Sequence, residues 1–510
     1  MNTVVRHYFD KAAKVATPGG SIGPATKPGA NPSIAILGVP LDNLTTGEAI
    51  EAIENMVRSG DPHYVVTANV DFLVQARKDV ELRSILLDAD LVLCDGTPLL
   101  WASRLLGNPL PERVAGADLT PLLIELAEKK RLRLFFLGAT PDSIEQAMSN
   151  LRHDHPDLRI AGHYSPPFRN LLEMDHDEIK RRISEARPDI LFVAFGCPKQ
   201  EKWIAMHYRQ LGVPVAIGVG ATIDFLARRV TRAPLWMQRS GLEWVYRLAQ
   251  EPRRLFRRYF TDLWVFGSGI LAQWARFHLL RGKAHRSEAR IPFLDEPGWQ
   301  CVKLPDHLDL AAVRNCAPLL SEAVVDGRHC LLDLADVARI DSTGMALLIR
   351  FQKDLRAIGA RLVLFNPSHS VQRGLRLMRL ETLFLTAPDL AGARELLARL
   401  QCEQSETVSL PPGDSQTPLR WQGEITAANA EEVWWNTSAH LAQAAAHGSA
   451  RVDLSAVRFI DSSGLGLMIR AKKLAAGQGT ELQFLAPAPP VRNVIQIARL
   501  DKLLLGKETR

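Results

Sequence analysis

The chain has 510 residues, 46% hydrophobic and 23% charged, which excludes both a disordered polymer and a single ordinary domain and leaves material for several cores. Six cysteines, Cys94, Cys197, Cys301, Cys316, Cys330 and Cys402, are scattered without a Cys-x-x-Cys pair or a histidine cluster at zinc spacing, so they read as free thiols in a reducing compartment. The net charge of +6 is uneven, with nine arginines between Arg228 and Arg258 against Glu243 and Glu251. A basic run of this kind suits nucleic acid, a polyanionic substrate or an anionic membrane surface.

In chain order, residues 1–32 lack the apolar core of a secretory signal, which predicts retention in the cytoplasm, and their Gly, Pro, Ala, Ser and Thr content predicts a flexible leader. From Ser33 short β-rich runs alternate with longer amphipathic segments: Ser33–Leu37, Tyr64–Thr67, Leu91–Leu93, Leu132–Leu137, Ile190–Ala194 and Val213–Ile217 are the expected strands. Such alternation predicts a parallel sheet covered by helices over residues 33–252. Thr45-Thr-Gly-Glu48 has the spacing of a capping box at one helix start. In an open parallel sheet the ligand lies beyond the carboxyl ends of the strands, where Thr67, Asn69, Asp95, Gly138 and Gly196 fall.

Residues 253–282 interleave the arginines with Phe256, Tyr259, Phe260, Leu263, Trp264, Phe266, Ile270, Leu271, Trp274, Phe277 and Leu279. Asp262, Gln273, Arg276 and His278 count against a spanning helix, because a charge near the bilayer centre costs about 2.5–3.5 kcal/mol. An interfacial helix fits the pattern, and an ordinary amphipathic helix packed on its own domain is the alternative. The alternation with apolar residues speaks against nucleic acid.

The rest of the chain repeats itself at an offset of 120 residues. The run from Cys330 through Asp341-Ser-Thr-Gly344 to Met345 matches the run from Ala450 through Asp461-Ser-Ser-Gly464 to Leu465. After the first, Leu347, Leu348, Phe351, Leu355 and Ile358 predict one face of a helix that stops at Gly359, followed by a strand, Arg361–Phe365. The second copy stops at Gly477 or Gly479 and continues into Leu482–Leu485. This pattern resembles the STAS domain of anti-sigma-factor antagonists and sulfate-transporter tails, over residues 298–400 and 417–508, with linkers at 283–297 and 401–416. Phosphorylation at the hydroxyl before the glycine, here Thr343 and Ser463, is what that resemblance implies. Plain helix capping by the same hydroxyls is the alternative.

The first half carries Thr67-Ala-Asn69, Cys94-Asp95-Gly96-Thr97, Pro111-Glu-Arg-Val-Ala-Gly-Ala-Asp118, Ala194-Phe-Gly-Cys-Pro-Lys-Gln-Glu-Lys-Trp203, Val219-Gly-Ala-Thr-Ile-Asp224 and Leu242-Glu-Trp-Val-Tyr-Arg247. Over roughly residues 33–260 these motifs resemble the WecG/TagA/CpsF glycosyltransferases, which extend membrane-bound polyprenyl-diphosphate sugars. The resemblance implies Asp95 as the catalytic base, with Thr67 and Asn69 beside it. From local sequence alone, Asp95-Gly96 would be a turn. Arg113 is assigned to the same pocket or to phosphate, whereas Asp118 reads either as a site residue or as a helix cap. Gly138 opens a helix in a geometry that offers amides to an anion. Gly196, Lys199, Gln200 and Glu201 are expected to line the nucleotide-sugar cleft, the alternative being a solvated helix start. Gly220 and Asp224, the second candidate base, come to the same edge. Arg232, Arg239 and Arg247, with Arg253 and Arg254, fall in the segment resembling the family's C-terminal appendage, where arginines clamp the acceptor's diphosphate or anchor to anionic lipid.

Two departures from the family pattern bear on donor specificity and loop shape: His163-Tyr-Ser-Pro-Pro-Phe168 stands where Gly-Tyr-Phe is usual, and Ala227-Arg228 replaces Ala-Gly. With no Asp-x-Asp at a strand end, no metal and no cofactor beyond the UDP-sugar donor is expected. The expected fold class is α/β: a Rossmann-like parallel-sheet domain with a C-terminal helical membrane appendage, then two small α/β domains. The expected function is an inverting, UDP-sugar-dependent hexosyltransferase acting on a polyprenyl-diphosphate-linked saccharide in bacterial surface polysaccharide synthesis, peripheral on the inner face of the cell membrane. The expected further partners are a STAS-binding kinase or other regulatory protein, or a second copy of the chain. The competing reading is a STAS-based signalling protein whose first domain senses lipid or nucleotide.

Overall fold

A computed structural model describes residues 31–230, 233–234, 236–237, 243–250, 252–279, 299–381, 383–389, 391–396, 418–426, 429–445 and 448–505. Residues 1–30 of the leader, both linkers, Arg232 and Arg239, and the side chains of Arg247 and Arg254 lie outside the described residues. The chain divides into two units. One holds the N-terminal domain together with the first repeat, and the other holds residues 397–510 with the segments Pro167–Met174 and Ala205–His207.

The described residues open with a hairpin, β1 (Ile34–Ile36) antiparallel to β2 (Val39–Leu41). This corrects the expectation of a sheet strand at Ser33–Leu37. The turn residues Leu37 and Gly38 both have positive φ, the conformation of a tight hairpin turn, so the run folds back on itself instead of joining a parallel neighbour.

Six strands then build one parallel sheet: β3 (His63–Ala68), β4 (Leu91–Cys94), β5 (Arg133–Gly138), β6 (Arg159–Tyr164), β7 (Ile190–Ala194) and β8 (Val215–Gly218), in the order β4-β3-β8-β7-β5-β6. Strands β3, β4, β5, β7 and β8 are near-continuous apolar runs, as a sheet covered on both faces requires. Strand β6 is not among the strands the sequence predicts. It is an edge strand of sequence RIAGHY with a half-buried surface, so the apolar signal is diluted. The helix Thr46–Ser59 starts with the expected capping box, Thr45 and Glu48 each accepting the other's backbone N–H. Leu93, Phe136, Phe192, Ile217, Leu123 and Met148 are among the fully buried side chains of the core.

The segment expected to lie on a membrane is one helix, Pro252–Leu279. Its inner face, Asp262, Phe266, Ile270, Gln273 and Phe277, is buried, which is the packed alternative. Its outer face shows Phe256, Phe260, Leu263, Trp264 (73% exposed) and Leu271. No helix among the described residues is long and apolar enough to cross a membrane.

The first repeat contains β9 (Trp299–Lys303), β10 (His307–Leu308), β11 (His329–Asp333), β12 (Arg339–Ile340), β13 (Leu362–Phe365) and β14 (Leu385–Ala387); the parallel sheet runs β14-β13-β11-β9, and β10 pairs with β12. The second contains β15 (Leu419–Ile425), β16 (Ser449–Ile460) and β17 (Glu481–Leu485), again parallel with β16 central. Each repeat places a 16-residue helix after the Asp-Ser-(Ser/Thr)-Gly run, Ser342–Ala357 and Ser462–Gly477. Leu348, Phe351 and Leu355 face inward as expected, but Ile358 is exposed at the helix end. Gly479, not Gly477, takes the left-handed conformation that ends the second helix.

Candidate active site

The carboxyl ends of the strands line up in the order Asp95, Asn69, Gly220, Gly196 and Gly138. Strands about 4.8 Å apart make this an edge roughly 19 Å long from β4 to β5. Between β5 and β7 the chain leaves in opposite directions, toward β6 on one side and β8 on the other, which makes this the topological switch point at which such sheets bind ligands.

At the β3–β4 end, the Asp95 N–H donates to the Ala68 carbonyl oxygen (2.8 Å), tying the two strand ends together. The Asp95 carboxylate accepts from the Gly116 N–H (3.4 Å), the first residue of the helix Gly116–Lys130, so it sits at the positive end of that helix. Gly116 is close against Thr67: a Cβ there would stand 3.1 Å from Thr67 Oγ1. Asn69 caps the helix Val70–Ala76 by accepting from the Phe72 N–H (3.3 Å), and its Cβ lies beside Gly96. The structure thus brings Thr67, Asn69 and Asp95 together. Burial pushes the neighbouring Cys94 thiol up to about 12, so it stays protonated and is no competing nucleophile.

Arg113 spreads its fork between Glu243 (Nη1 to Oε2, 2.9 Å) and Asp118 (Nη2 to Oδ2, 2.8 Å). Burial opposes its charge, yet the hydrogen bond to Glu243 and the fields of Asp118 and Asp95 prevail and hold the guanidinium above its ordinary value. Asp118 therefore serves Arg113. It is the third residue of the helix, whose N-cap position, Ala115, has no side-chain cap. Glu243 falls in the Leu242–Arg247 motif, but the sequence does not reveal its partner: the two lie 130 residues apart, and no local signal points to that pairing.

At the other end, polar side chains turn inward. Gln200 and Glu201, expected to line the cleft, are only 3% and 2% exposed. Gln200 Oε1 accepts from the N–H groups of Gly196 (3.0 Å) and Gly220 (3.1 Å), and its Nε2 donates to Glu201 Oε1 (2.7 Å). The pair thus clamps the loops after β7 and β8, a correction to direct contact with a nucleotide. The cause is the absence of a side chain at Gly218, where a Cβ would collide with Gln200 Nε2 and Glu201 Oε1. Burial raises Glu201 to about 7, with Asp71 adding to the effect against hydrogen bonds from Gln200 and Cys197. Asp71, two residues after Asn69, is a second contributor that no sequence signal singles out. Lys199 lies over the Phe195 ring at 5.3 Å, and partial burial lowers its proton affinity. Asp224 lies half-buried in the short helix Thr222–Leu226.

Gly138 is required where it stands: its φ is +104°, and a Cβ would meet the Ala194 carbonyl oxygen at 2.5 Å. The next N–H, of Ala139, already donates to that oxygen (3.1 Å), and the Ser143 N–H donates to Thr140 Oγ1 (3.3 Å). These two amides of the expected anion turn are therefore spent within the protein.

In the repeats, the helix caps are the aspartates. Asp341 Oδ1 accepts from the N–H groups of Thr343 (2.7 Å) and Gly344 (3.0 Å), and Asp461 Oδ1 from those of Ser463 (2.8 Å) and Gly464 (3.0 Å). This removes the reading of Thr343 and Ser463 as caps. Both hydroxyls are buried without a hydrogen-bond partner. Burial raises Asp341 to about 6 against the two N–H bonds it receives.

The family model of the WecG/TagA/CpsF glycosyl transferases matches residues 34–279. The Bacillus spizizenii protein named N-acetylglucosaminyldiphosphoundecaprenol N-acetyl-beta-D-mannosaminyltransferase is 36% identical over 191 residues, covering 38% of this chain and 72% of that one. The chain belongs to the WecG/TagA/CpsF glycosyltransferase family. A protein of the same name from Staphylococcus aureus strain MW2 is 30% identical to this transferase over 226 residues, covering 44% of this chain and 87% of its own. Two STAS domains follow in the transferase: a STAS model matches residues 294–393 and an Mlab-type STAS model residues 410–506. The structure of the Bacillus cell fate determinant SpoIIAA in its phosphorylated form aligns at 20% identity and TM-score 0.19, covering 22% of this chain and 99% of its own.

Proposed function

We propose that the transferase moves an N-acetylhexosamine-type residue from a UDP-sugar to a polyprenyl-diphosphate-linked saccharide, inverting the anomeric centre without a resident metal. The observation that carries this is the convergence of Thr67, Asn69 and Asp95 at the carboxyl edge, with Arg113 adjoining. Asp95 takes the proton of the acceptor hydroxyl as that oxygen attacks the anomeric carbon; the bond from that carbon to the β-phosphate oxygen breaks, and UDP leaves with the electron pair. The switch point between Gly138 and Gly196 is the assigned place for UDP, whose charge Lys199 helps to balance. The names of the two relatives support a diphosphoundecaprenol-linked amino sugar as acceptor and an N-acetylmannosaminyl donor.

The exposed face of the helix Pro252–Leu279, Phe256, Phe260, Leu263, Trp264 and Leu271, supports docking of the same domain on the inner surface of the cell membrane, beside the lipid-linked acceptor. Deleting residues 253–282 would move the protein to the soluble fraction if that face is the anchor; unchanged membrane binding would sink it.

The deciding experiment is UDP release from a panel of UDP-sugars with a short-chain polyprenyl-diphosphate sugar, for the full chain and Asp95→Asn, with and without chelator. Acceptor-dependent release that survives chelation and is lost in the variant supports the assignment. Nucleotide binding without turnover for any pair would favour the sensor reading instead.

A further inference from the structure

We propose that the first STAS domain is an intramolecular brace for the strands that carry the catalytic residues, so that whatever engages its helix Ser342–Ala357 acts on catalysis by releasing that brace. The coupling to activity rests on the transferase reading; the docking itself does not.

Two cations one turn apart on this helix reach carboxylates that already hold β3 and β4. Arg350 pairs with Asp42, whose carboxylate also accepts from the Val92 N–H of β4 (2.8 Å) and from Ser33 Oγ (3.1 Å). Lys353 Nζ donates to the Ala89 carbonyl oxygen (2.7 Å) and to Asp90 Oδ1 (3.2 Å). Asp90 in turn accepts from the Tyr64 N–H of β3 (3.0 Å) and lies 3.5 Å from His63 Nδ1. Asp42, Asp90, Arg350 and Lys353 are therefore positioning residues, set at or near the starts of two strands whose far ends are Asn69 and Asp95.

A second anchor lies at the start of the helix. Gln273, buried on Pro252–Leu279, accepts from the Leu37 N–H (3.0 Å) and donates to the Ala35 carbonyl oxygen (2.9 Å) and to Ser342 Oγ (2.9 Å). Gly38 at the hairpin turn is packed against the Met378 carbonyl of the STAS domain and has no room for a Cβ. Arg339 donates to the Phe277 carbonyl oxygen (3.0 Å) and Arg83 to that of Arg379 (2.8 Å). Ala35, Leu87 and Phe277 join the same apolar core as Leu348, Ile349 and Met345. A continuous core with charged anchors at its rim marks a built interface, whose occupant is the transferase domain itself.

Because these contacts lie away from the carboxyl edge, the domain does not cover substrate; it acts by holding positions. Thr343, one residue from the Gln273 contact, is 1% exposed, its hydroxyl unpartnered. A charged group there, beside Asp341, would need space that the buried start of this helix does not offer, so modification opposes the docked position of the helix.

The test uses the full chain. In Arg350→Ala/Lys353→Ala, amide exchange should speed up in residues 34–41, 63–68 and 342–357, and kcat for UDP release should fall about tenfold with the donor KM unchanged. Arg350→Lys/Lys353→Arg, which keeps both charges, should restore kcat. Thr343→Val should exchange like wild type, and Thr343→Glu like the alanine double variant. Faster exchange with kcat unchanged would overturn the brace, and unchanged exchange in the alanine variant would overturn the charged anchors. If Thr343→Glu unfolds the STAS domain, the alanine variant and its rescue decide alone. A wild type without turnover would sink the transferase reading and the coupling, and the exchange data would still decide docking.

Discussion

At the β3–β4 end of the carboxyl edge Asn69 and Asp95 are half-buried, with Thr67 and Arg113 packed beside them. At the β5–β7–β8 end Gln200, Glu201 and Gly138 are buried, and Gly196 and Gly220 shape the surface. The first end offers side chains whose chemistry changes during a reaction. The second is built of glycine loops whose shape has to be held by side chains behind them. A motif residue can therefore matter to a site without facing the ligand, and the two ends should respond differently to substitution.

The largest effect is expected from Asp95→Asn. Removing the base should lower UDP release by about 10²–10⁴-fold with little change in the thermal midpoint, and a rate that survives would return Asp224 to consideration. Gln200→Ala should behave in the opposite way. It strands two N–H groups, of Gly196 and Gly220, so urea unfolding should show a loss of about 2–4 kcal/mol, with the donor KM raised. Unchanged stability would mean the clamp is incidental.

Glu201→Gln probes the same end by pH. With its folded proton affinity near 7 and an unfolded value of about 4.3, the folded state keeps a proton that the unfolded state has lost, so stability falls as pH rises between those values. The variant carries no charge to bury, so it should match wild type below about pH 4 and exceed it above pH 7, by roughly 3 kcal/mol. Parallel urea midpoints across that range would remove the idea. The smallest effect is expected from Arg113→Lys. An ammonium cannot span Glu243 and Asp118 as the planar fork does, so a loss of about 1 kcal/mol is expected, together with a rise in acceptor KM if the arginine contacts the diphosphate.

Much of this site is legible in the amino-acid sequence. Thr67, Asn69 and Asp95 follow apolar strands, and a parallel sheet sends strand ends to one edge whatever the loops do. The inward turn of Gln200 and Glu201 is not legible, because Lys-Gln-Glu has the composition of a solvated helix start and only the space at Gly218 draws the two side chains in. The caps of the repeats escape a sequence reading for a related reason: Asp, Ser and Thr all cap helices, and which of them precedes the first helical residue depends on backbone angles. In the helix Pro252–Leu279 the mixed pattern identifies an amphipathic helix, but Gln273 reads there as a cost to burial when it is the residue that joins three segments.

The sequence by itself determined five of the six strands of the first sheet, the capping box at Thr45, the repeat at an offset of 120 residues and the cluster of motif residues at strand ends, because each depends on periodicity or on neighbours a few positions apart. The tertiary structure alone decided that Arg113 meets Glu243, that Gln200 ties two glycine loops and that Arg350 and Lys353 hold the starts of β3 and β4. Those features join residues from 20 to more than 300 positions apart, or depend on which face of an element is buried, and burial and long-range hydrogen bonding are settled only when the whole chain has packed.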